Sequence, residues 1–200
     1  ERLGLKSIVK ELVLSLVYGY RFKMSWSEGF HIICIDMEYY KFEELDCDVQ
    51  SIYKKYQMTL GATGEKTALI FTEPYRFEFQ TKENYDKINI DIVKFLHTKG
   101  YKVLMKGHPR LGNHPLLKDM CDEIVDSKIP AEFLDLKSVD FVISFVSTSM
   151  CQAVSYTTAY SVLPMCEVTD KGMYNHFYEF VEKSGNGQVK MVKSFDELDL

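Results

Sequence analysis

Strand-like and helix-like segments alternate along the chain from about residue 66 onward. Short apolar segments rich in β-branched residues are typical of buried strands, and apolar residues three or four positions apart are typical of helices. The strand-like segments are 68–72, 101–105, 123–126, 141–146 and 160–163, and the helix-like segments are 83–98, 115–121, 130–136, 148–156 and 173–182. Strands joined by crossover helices favour a mostly parallel sheet with helices on both faces. The sequence therefore predicts a Rossmann-like α/β domain.

The part of the chain before this alternation predicts a separate region. It has helical patterns at 3–17 and 42–58, a polar loop after the first of them, and a strand pattern at 31–35. The polar segment 61–65 contains two glycines and indicates a connector. We therefore expect a partial N-terminal region and linker at 1–62 and the Rossmann-like domain at 63–200. Because the chain opens on Glu1 without an initiator Met, we expect its beginning to lie upstream.

The segment Asp46-Cys47-Asp48 resembles the Asp-x-Asp motif of metal-dependent sugar transferases. The carboxylates of that motif need a strand end from which to hold a divalent ion, whereas these two fall within a charged segment of helical spacing. A solvated helix is the favoured interpretation, and we expect no metal site.

Composition excludes several classes of protein. A net charge of −5 without a dominant basic face argues against nucleic-acid binding. No run of about 18 apolar residues occurs, so the sequence predicts no membrane span. The five cysteines are widely spaced and form no zinc-binding pattern. We expect free thiols and a cytoplasmic location, with attachment to the inner face of the plasma membrane left open.

A basic cluster follows the strand pattern at 101–105. It consists of Lys106, Gly107, His108, Pro109 and Arg110. Ligands of open α/β sheets bind just beyond the carboxyl ends of the strands, where this cluster falls. Lysine and arginine supply charge for an anion, glycine permits close approach of the backbone, and histidine exchanges protons near neutral pH. The alternative is a basic loop that binds nothing.

A second cluster follows the strand pattern at 141–146. Ser147, Thr148 and Ser149 open a predicted helix, and hydroxyls with free N–H groups at a helix start can bind an anion. The alternative is ordinary N-capping, which requires one hydroxyl. We expect this strand end and the basic cluster to be neighbours on one edge of the sheet and to meet one phosphate. Glu132, between them in sequence, is placed to accept hydrogen bonds from a ribose.

The common nucleotide and hydrolase motifs are absent from the sequence. It contains no Gly-x-Gly-x-x-Gly after the first strand, no phosphate-binding P-loop and no Gly-x-Ser-x-Gly elbow. Any phosphate site must be built differently.

The ordered set of Lys-x-His-Pro, Pro-x-Glu and a strand leading into a hydroxyl pair resembles the bacterial GT-B sialyltransferases. That group includes lipooligosaccharide sialyltransferases, capsular polysialyltransferases and multifunctional sialyltransferases. Their His-Pro motif matches His108-Pro109, and their Ser-Ser motif matches Ser147-Thr148, with Thr in place of the second Ser. The resemblance covers roughly residues 66–165. It implies that the chain is the C-terminal half of a GT-B glycosyltransferase.

The resemblance also implies a set of donor-binding residues. In these enzymes the equivalents of Lys106, His108, Ser147 and Thr148 hold the phosphate of CMP, and that of Glu132 holds the ribose. Residues 69–74 look like the strand and Thr-Gln-Pro turn of the lipooligosaccharide branch. The complete predicted donor-binding set is Thr72, Glu73, Lys106, Gly107, Pro109, Arg110, Glu132, Ser147, Thr148 and Ser149.

The acidic motif of these enzymes is matched only in part. In the lipooligosaccharide branch it follows the Thr-Gln-Pro turn, where this chain has Glu78 without a second acid or a glycine. Glu78 is our predicted general base, with His108 as the group that protonates the leaving oxygen. Ser27-Glu28-Gly29 is a second partial match. In other branches the motif lies in the N-terminal domain, which would be upstream of Glu1.

The resemblance implies transfer of sialic acid from CMP-sialic acid to a glycan hydroxyl, with inversion and without a metal or cofactor, in capsule or lipooligosaccharide synthesis. These 200 residues alone are expected to bind a donor without necessarily transferring sugar. One alternative is a GT-B transferase for another activated donor, CDP-glycerol or CMP-Kdo, in capsule or wall synthesis. Another is a non-catalytic domain for glycan binding or assembly. Acceptor, linkage and oligomeric state cannot be read from the residues.

Overall fold

The structure is a computed structural model that describes residues 22–27, 30–35, 55, 57–62, 64–75 and 79–200. It divides into two compact units, Glu1–Cys47 and Asp48–Leu200. In the first unit, strands β1 (Phe22–Ser27) and β2 (Phe30–Ile35) pair in antiparallel register. The strand predicted at 31–35 is therefore found as β2, whereas β1 was expected to be loop. The boundary at residue 62 stays a prediction.

Several sequence-based predictions lie outside the described residues. They are the helix at 3–17, most of the helix at 42–58 with Asp46 and Asp48, and Glu28 and Glu78 of the two partial acidic motifs.

The second unit contains a parallel sheet of six strands. The strands and α-helices of this unit are, in chain order, β3 (Met58–Thr59), β4 (Thr67–Thr72), α1 (Lys82–Thr98), β5 (Lys102–Gly107), β6 (Glu123–Val125), β7 (Leu134–Asp135), β8 (Phe141–Ser144), α2 (Thr148–Ala153), β9 (Thr158–Ser161), α3 (Lys171–Ser184) and β10 (Lys190–Met191). The main sheet has the order β10-β9-β8-β4-β5-β6, and every pairing in it is parallel. β3 and β7 form a separate parallel pair.

This strand order is that of the doubly wound nucleotide-binding fold. The chain adds β5 and then β6 on one side of β4, and afterwards β8, β9 and β10 on the other side. Because crossovers between parallel strands are right-handed, helices added in opposite directions cover opposite faces of the sheet. The predicted α/β, Rossmann-like fold is confirmed.

Burial explains why these segments form strands. All six residues of β4 and all four residues of β8 are buried, as expected for strands covered on both faces. Helix α1 begins after Thr81, whose hydroxyl accepts a hydrogen bond from the N–H of Asn84 over 3.1 Å. Its apolar face is buried in the core, and the chain leaves it through Gly100 at φ +76°. This φ suits glycine.

Some predicted elements are shorter than the pattern indicated. The helix expected at 115–121 is only a 3-10 turn at Pro115–Leu117, and the helix expected at 130–136 is two 3-10 turns flanking β7. Strand β8 ends at Ser144 instead of residue 146, because the carbonyl of Phe145 accepts a hydrogen bond from the Ser161 hydroxyl (2.7 Å). A side chain thus takes the place of the next main-chain partner. The short edge strand β10 was not predicted.

Candidate active site

A cavity of about 290 Å³ opens at the carboxyl end of the main sheet. It lies at the point where the strand order changes direction, between β4 and its neighbours on either side. The connections that follow these strands run to opposite sides of the sheet, and this leaves a crevice at the strand ends. Its lining includes Thr72, Glu73, Lys106, Gly107, His108, Pro109, Glu132, Ser147, Thr148 and Ser149. The structure thus brings together the basic cluster without Arg110, the hydroxyl cluster and Glu132. Their roles in binding stay predictions.

The sequence predicted that the two strand tips are direct neighbours, but in the structure they are not. β5 and β8 each pair with β4, which lies between them. Thr72 at the tip of β4 is in register with Gly107 of β5. The tip of β4 therefore forms part of the cavity wall between the two clusters. The hydroxyl oxygen of Thr72 is buried there and has no hydrogen-bond partner among the described residues.

The imidazole of His108 is held in one orientation by its own loop. Its Nδ1 accepts hydrogen bonds from the main-chain N–H groups of Arg110 (3.1 Å) and Leu111 (3.3 Å). In the neutral ring the proton must therefore be on Nε2. Two main-chain hydrogen bonds between His108 and Gly112 close the turn, at 3.0 and 2.8 Å. His108 lines the cavity, and in the neutral ring its Nε2 is a hydrogen-bond donor.

Lys106 is a buried cation in the cavity wall. Its side chain is almost fully enclosed, with a residue exposure of 3%, and Nζ donates a hydrogen bond to the carbonyl of Ser127 over 3.1 Å. Burial lowers the pKa of Lys106, while the nearby carboxylates of Asp126 and Glu132 oppose that shift. An anion in the cavity would favour the charged form further.

Gly107 allows the His108 loop to pack closely. A Cβ atom at this position would lie 2.1 Å from Oδ1 of Asn113 and 2.7 Å from the carbonyl oxygen of Gly112. Both distances are far below normal contact, so no larger residue fits without displacement of the loop. Gly107 was predicted to let the backbone come close to a ligand, and this stays a prediction. In the structure it lets the backbone pack closely against Gly112 and Asn113.

The hydroxyl cluster combines capping with access to the cavity. Ser147 caps α2, and its Oγ accepts a hydrogen bond from the N–H of Met150 over 3.3 Å. Ser147 therefore caps the helix, and its predicted role in donor binding stays a prediction. Its hydroxyl hydrogen remains a donor, because a hydroxyl has one O–H and two acceptor lone pairs. Thr148 is exposed and Ser149 half-buried, and both line the cavity.

Arg110 is not among the described residues that line the cavity, and Glu78 is not described. The side chain of Arg110 is exposed and does not line the cavity, although its main-chain N–H orients His108. Glu78 lies outside the described residues. Their predicted roles stay predictions.

Tyr85 is a cavity residue that the sequence did not reveal. Its hydroxyl donates a hydrogen bond to the main-chain carbonyl of Glu73 over 2.7 Å, and its ring lies 4.8 Å from that of Phe145. Burial, with a smaller contribution from Glu73, raises the pKa of Tyr85 well above its usual range. Helical spacing predicts that this position of α1 faces inward. It does not predict which strand tips the ring meets.

Within the described residues, no group of three or more His, Cys, Asp or Glu side chains is arranged to hold a metal ion. None of the helices described is long and apolar enough to cross a membrane.

Comparison with known families gives one match. The model of the family described as alpha-2,8-polysialyltransferase (POLYST) matches residues 36–162. This range is well over half of the chain and contains all the described residues that line the cavity. The chain belongs to the alpha-2,8-polysialyltransferase family. A search of curated proteins finds no match.

Family membership confirms the coarser part of the predicted function. The chain is a sialyltransferase, and hence a glycosyltransferase that acts on a sugar donor and an acceptor. The GT-B architecture, the specific motifs and the lipooligosaccharide branch stay predictions.

Proposed function

We propose that this protein transfers sialic acid from CMP-sialic acid to a hydroxyl of a glycan, with inversion and without a metal ion. The supporting observation is one cavity that combines the Nε2–H of His108, the ammonium group of Lys106 and the hydroxyls of Ser147 and Thr148. These groups are donors of the kind that bind a phosphate. The family description supports an acceptor that already carries sialic acid and an α-2,8 linkage in the product.

The charge of the lining favours a donor with one phosphate. Among the described residues that line the cavity, Lys106 is the single lysine or arginine, and the carboxylates of Glu73 and Glu132 are also present. The phosphodiester of CMP-sialic acid carries one negative charge, whereas the diphosphate of CDP-glycerol carries two. A second phosphate charge would find no second lysine or arginine among these residues, and burial of a charge without an opposite charge is costly. This argument favours CMP-linked sugars over CDP-glycerol.

In the proposed reaction the bond between the anomeric carbon and the phosphate oxygen breaks, and CMP departs with the bonding electron pair. The neutral imidazole of His108 donates an Nε2–H hydrogen bond to the departing phosphate oxygen and keeps its proton, because its Nδ1 already accepts two main-chain hydrogen bonds, and Lys106 stabilises the developing charge. Removal of one such preorganised donor typically costs about 10²–10³-fold in kcat. The acceptor oxygen attacks the opposite face of the sugar, which gives inversion.

The acceptor's proton must pass to a base, for which Glu78 is our candidate. A phosphate monoester is a good leaving group, so the proposed chemistry does not need a Lewis acid to assist its departure.

We also propose that Glu132 holds the ribose, that the domain is the C-terminal half of a GT-B enzyme, and that the reaction takes place in the bacterial cytoplasm during capsule synthesis. The three cysteines whose side chains are described, Cys121, Cys151 and Cys166, are free thiols, which supports a reducing compartment.

The experiment compares ligands and variants in the full chain. We expect CMP to raise the unfolding temperature more than CDP or UDP, since ligand at about 100 times its Kd adds about 2.7 kcal/mol of stability. His108→Ala should lose most transfer from CMP-sialic acid, while His176→Ala, which removes an exposed imidazole from α3, should not.

Equal stabilisation by CDP, or unchanged transfer in His108→Ala, would contradict the proposal. Turnover of CMP-Kdo but not of CMP-sialic acid would identify the alternative donor. Binding of CMP without turnover of any donor would favour a non-catalytic domain.

A further inference from the structure

A second histidine lies buried behind the cavity. His114 has no solvent exposure, and its Nε2 lies 3.1 Å from Oδ1 of Asp86, on helix α1. Its Nδ1 accepts a hydrogen bond from the N–H of Leu116 over 3.3 Å, which caps the 3-10 turn at Pro115–Leu117. Both ring nitrogens of His114 are therefore used.

These contacts determine the state of the ring. Because Nδ1 is an acceptor, the proton of the neutral imidazole is on Nε2 and is donated to Asp86. Burial lowers the pKa of His114, although Asp86 opposes the shift, and the nearby cation of Lys82 lowers it slightly further. His114 is thus a neutral donor at neutral pH.

His114 is linked to the cavity through two short paths. Along the chain, it follows directly after the turn in which His108 and Gly112 exchange main-chain hydrogen bonds. Across space, its imidazole centroid lies 5.5 Å from the ring of Tyr85, which lines the cavity and packs against Phe145. The ring of Tyr85 therefore packs against His114, at the end of the His108 loop, and against Phe145, in the cavity wall close to the hydroxyl cluster.

We propose that His114 is a positioning residue, which orients His108 by fixing the end of its loop to Asp86 of helix α1. This inference rests on the proposed function, since it concerns the placement of the group that donates a hydrogen bond to the departing phosphate. Without the His114–Asp86 hydrogen bond, the loop from 108 to 114 would lose its side-chain attachment to the helix. A misplacement of about 1 Å can cost about 100-fold in rate.

The chain offers a matched control for this contact. Asp86 pairs with Lys82 one turn earlier on α1, and Asp91 pairs in the same way with Lys87 over 3.2 Å. Asp86 also binds His114, whereas no contact between Asp91 and a histidine is found among the described residues. A comparison of Asp86→Ala with Asp91→Ala therefore separates the histidine contact from the loss of a lysine pair.

The kinetic test measures donor turnover by the full chain. We expect kcat to fall about 100-fold in His114→Ala and Asp86→Ala, with KM for the donor little changed, because a misplaced hydrogen-bond donor stabilises the transition state less while binding of the ground state is little affected. Asp91→Ala should retain wild-type kcat. Asp86→Asn should also retain it, because the amide oxygen still accepts the Nε2 proton. Wild-type kcat in Asp86→Ala, or equal losses in Asp86→Asn and Asp86→Ala, would overturn the inference.

A second readout does not depend on activity. Long-range ¹⁵N NMR of the imidazoles should show His108 as a single Nε2–H tautomer in the wild type and in Asp91→Ala. In Asp86→Ala its signals should shift toward a tautomer mixture. If the full-length wild-type protein turned over no CMP-sialic acid, the proposed function would fail, and these spectra would still decide the positioning role. A His108 that keeps one tautomer in Asp86→Ala and His114→Ala would overturn it.

Discussion

Replacement of Gly107 by alanine tests whether the His108 loop needs its close packing. The added Cβ would lie 2.1 Å from Oδ1 of Asn113, 2.7 Å from the carbonyl oxygen of Gly112 and 2.8 Å from Cα of Asn113. The first atom is at the end of a side chain and can move. The other two belong to the backbone, so the loop itself must shift.

The size of that shift follows from the distances. Non-bonded heavy atoms rest roughly 3.5 Å apart, so the Gly112 carbonyl must retreat by about 0.8 Å. That carbonyl accepts the hydrogen bond from the N–H of His108, so its movement acts directly on the position of His108. We expect Gly107→Ala to cost about 1–3 kcal/mol in free energy of unfolding, as overpacking does. We expect kcat for donor turnover to fall roughly 10- to 100-fold.

The assay combines thermal unfolding with donor turnover. For a chain of this length, each 1 kcal/mol lowers the unfolding temperature by about 2–4 °C. The matched control is Gly172→Ala, because the new Cβ meets only Oδ1 of Asp170, at 3.4 Å, and the position is in the first turn of α3. We expect it to leave activity unchanged and to add up to about 1 kcal/mol of stability.

The double variant Gly107→Ala, Asn113→Ala sharpens the test. It removes the contact with the Asn113 side chain and keeps both backbone contacts, so only partial recovery is expected. Wild-type turnover and stability in Gly107→Ala alone would refute the reasoning, since the loop would then tolerate a change that its geometry forbids.

Further predictions concern single side chains. Lys106→Met should keep or raise the unfolding temperature, because burial disfavours the charged form and lowers the pKa of Lys106, yet it should abolish stabilisation by CMP. Ser147→Ala should lose about 0.5–2 kcal/mol of stability with its cap to Met150, measured by urea unfolding. The pKa of Asp122 is lowered: burial, the largest influence, raises it, but the Val103 N–H and His97 outweigh burial. The contribution of Asp122 to the free energy of unfolding should be complete above the unfolded pKa of about 3.9, and it should be lost as the pH falls through the lower pKa of the folded state. Asp122→Asn should not show this loss. Burial raises the thiol pKa of Cys151 to about 11 and of Cys166 to about 12, so alkylation at pH 7.5 should be slow until urea is added, and fast labelling of the native protein would refute this.

The strand pattern was sufficient to predict the fold and the edge of the sheet that carries the cavity. Parallel strands bring their carboxyl ends to the same edge, so Lys106 and Ser147 had to face a common region once the strands were identified. The sequence could not place β4 between them, because strand order depends on which side each crossover takes. Nor could it show that Tyr85 closes the wall, since helical spacing predicts burial and not the neighbours of a buried ring.

Element ends were less predictable for local reasons. The apolar run 141–146 continues past the end of β8, and only the hydroxyl of Ser161, from a strand later in the chain, reveals where the ladder stops. The side chain of Arg110 was grouped with the site because of its charge. In the structure its main chain matters, because its N–H binds His108.

The position of β4 has a consequence for assembly of the protein. It comes first among the strands of the main sheet, yet it acquires partners on both flanks, and the second of these arrives about 70 residues later. Contacts so distant in sequence form slowly. The cavity is therefore completed only when both halves of the sheet have joined, and a ligand bound in it would contact both halves.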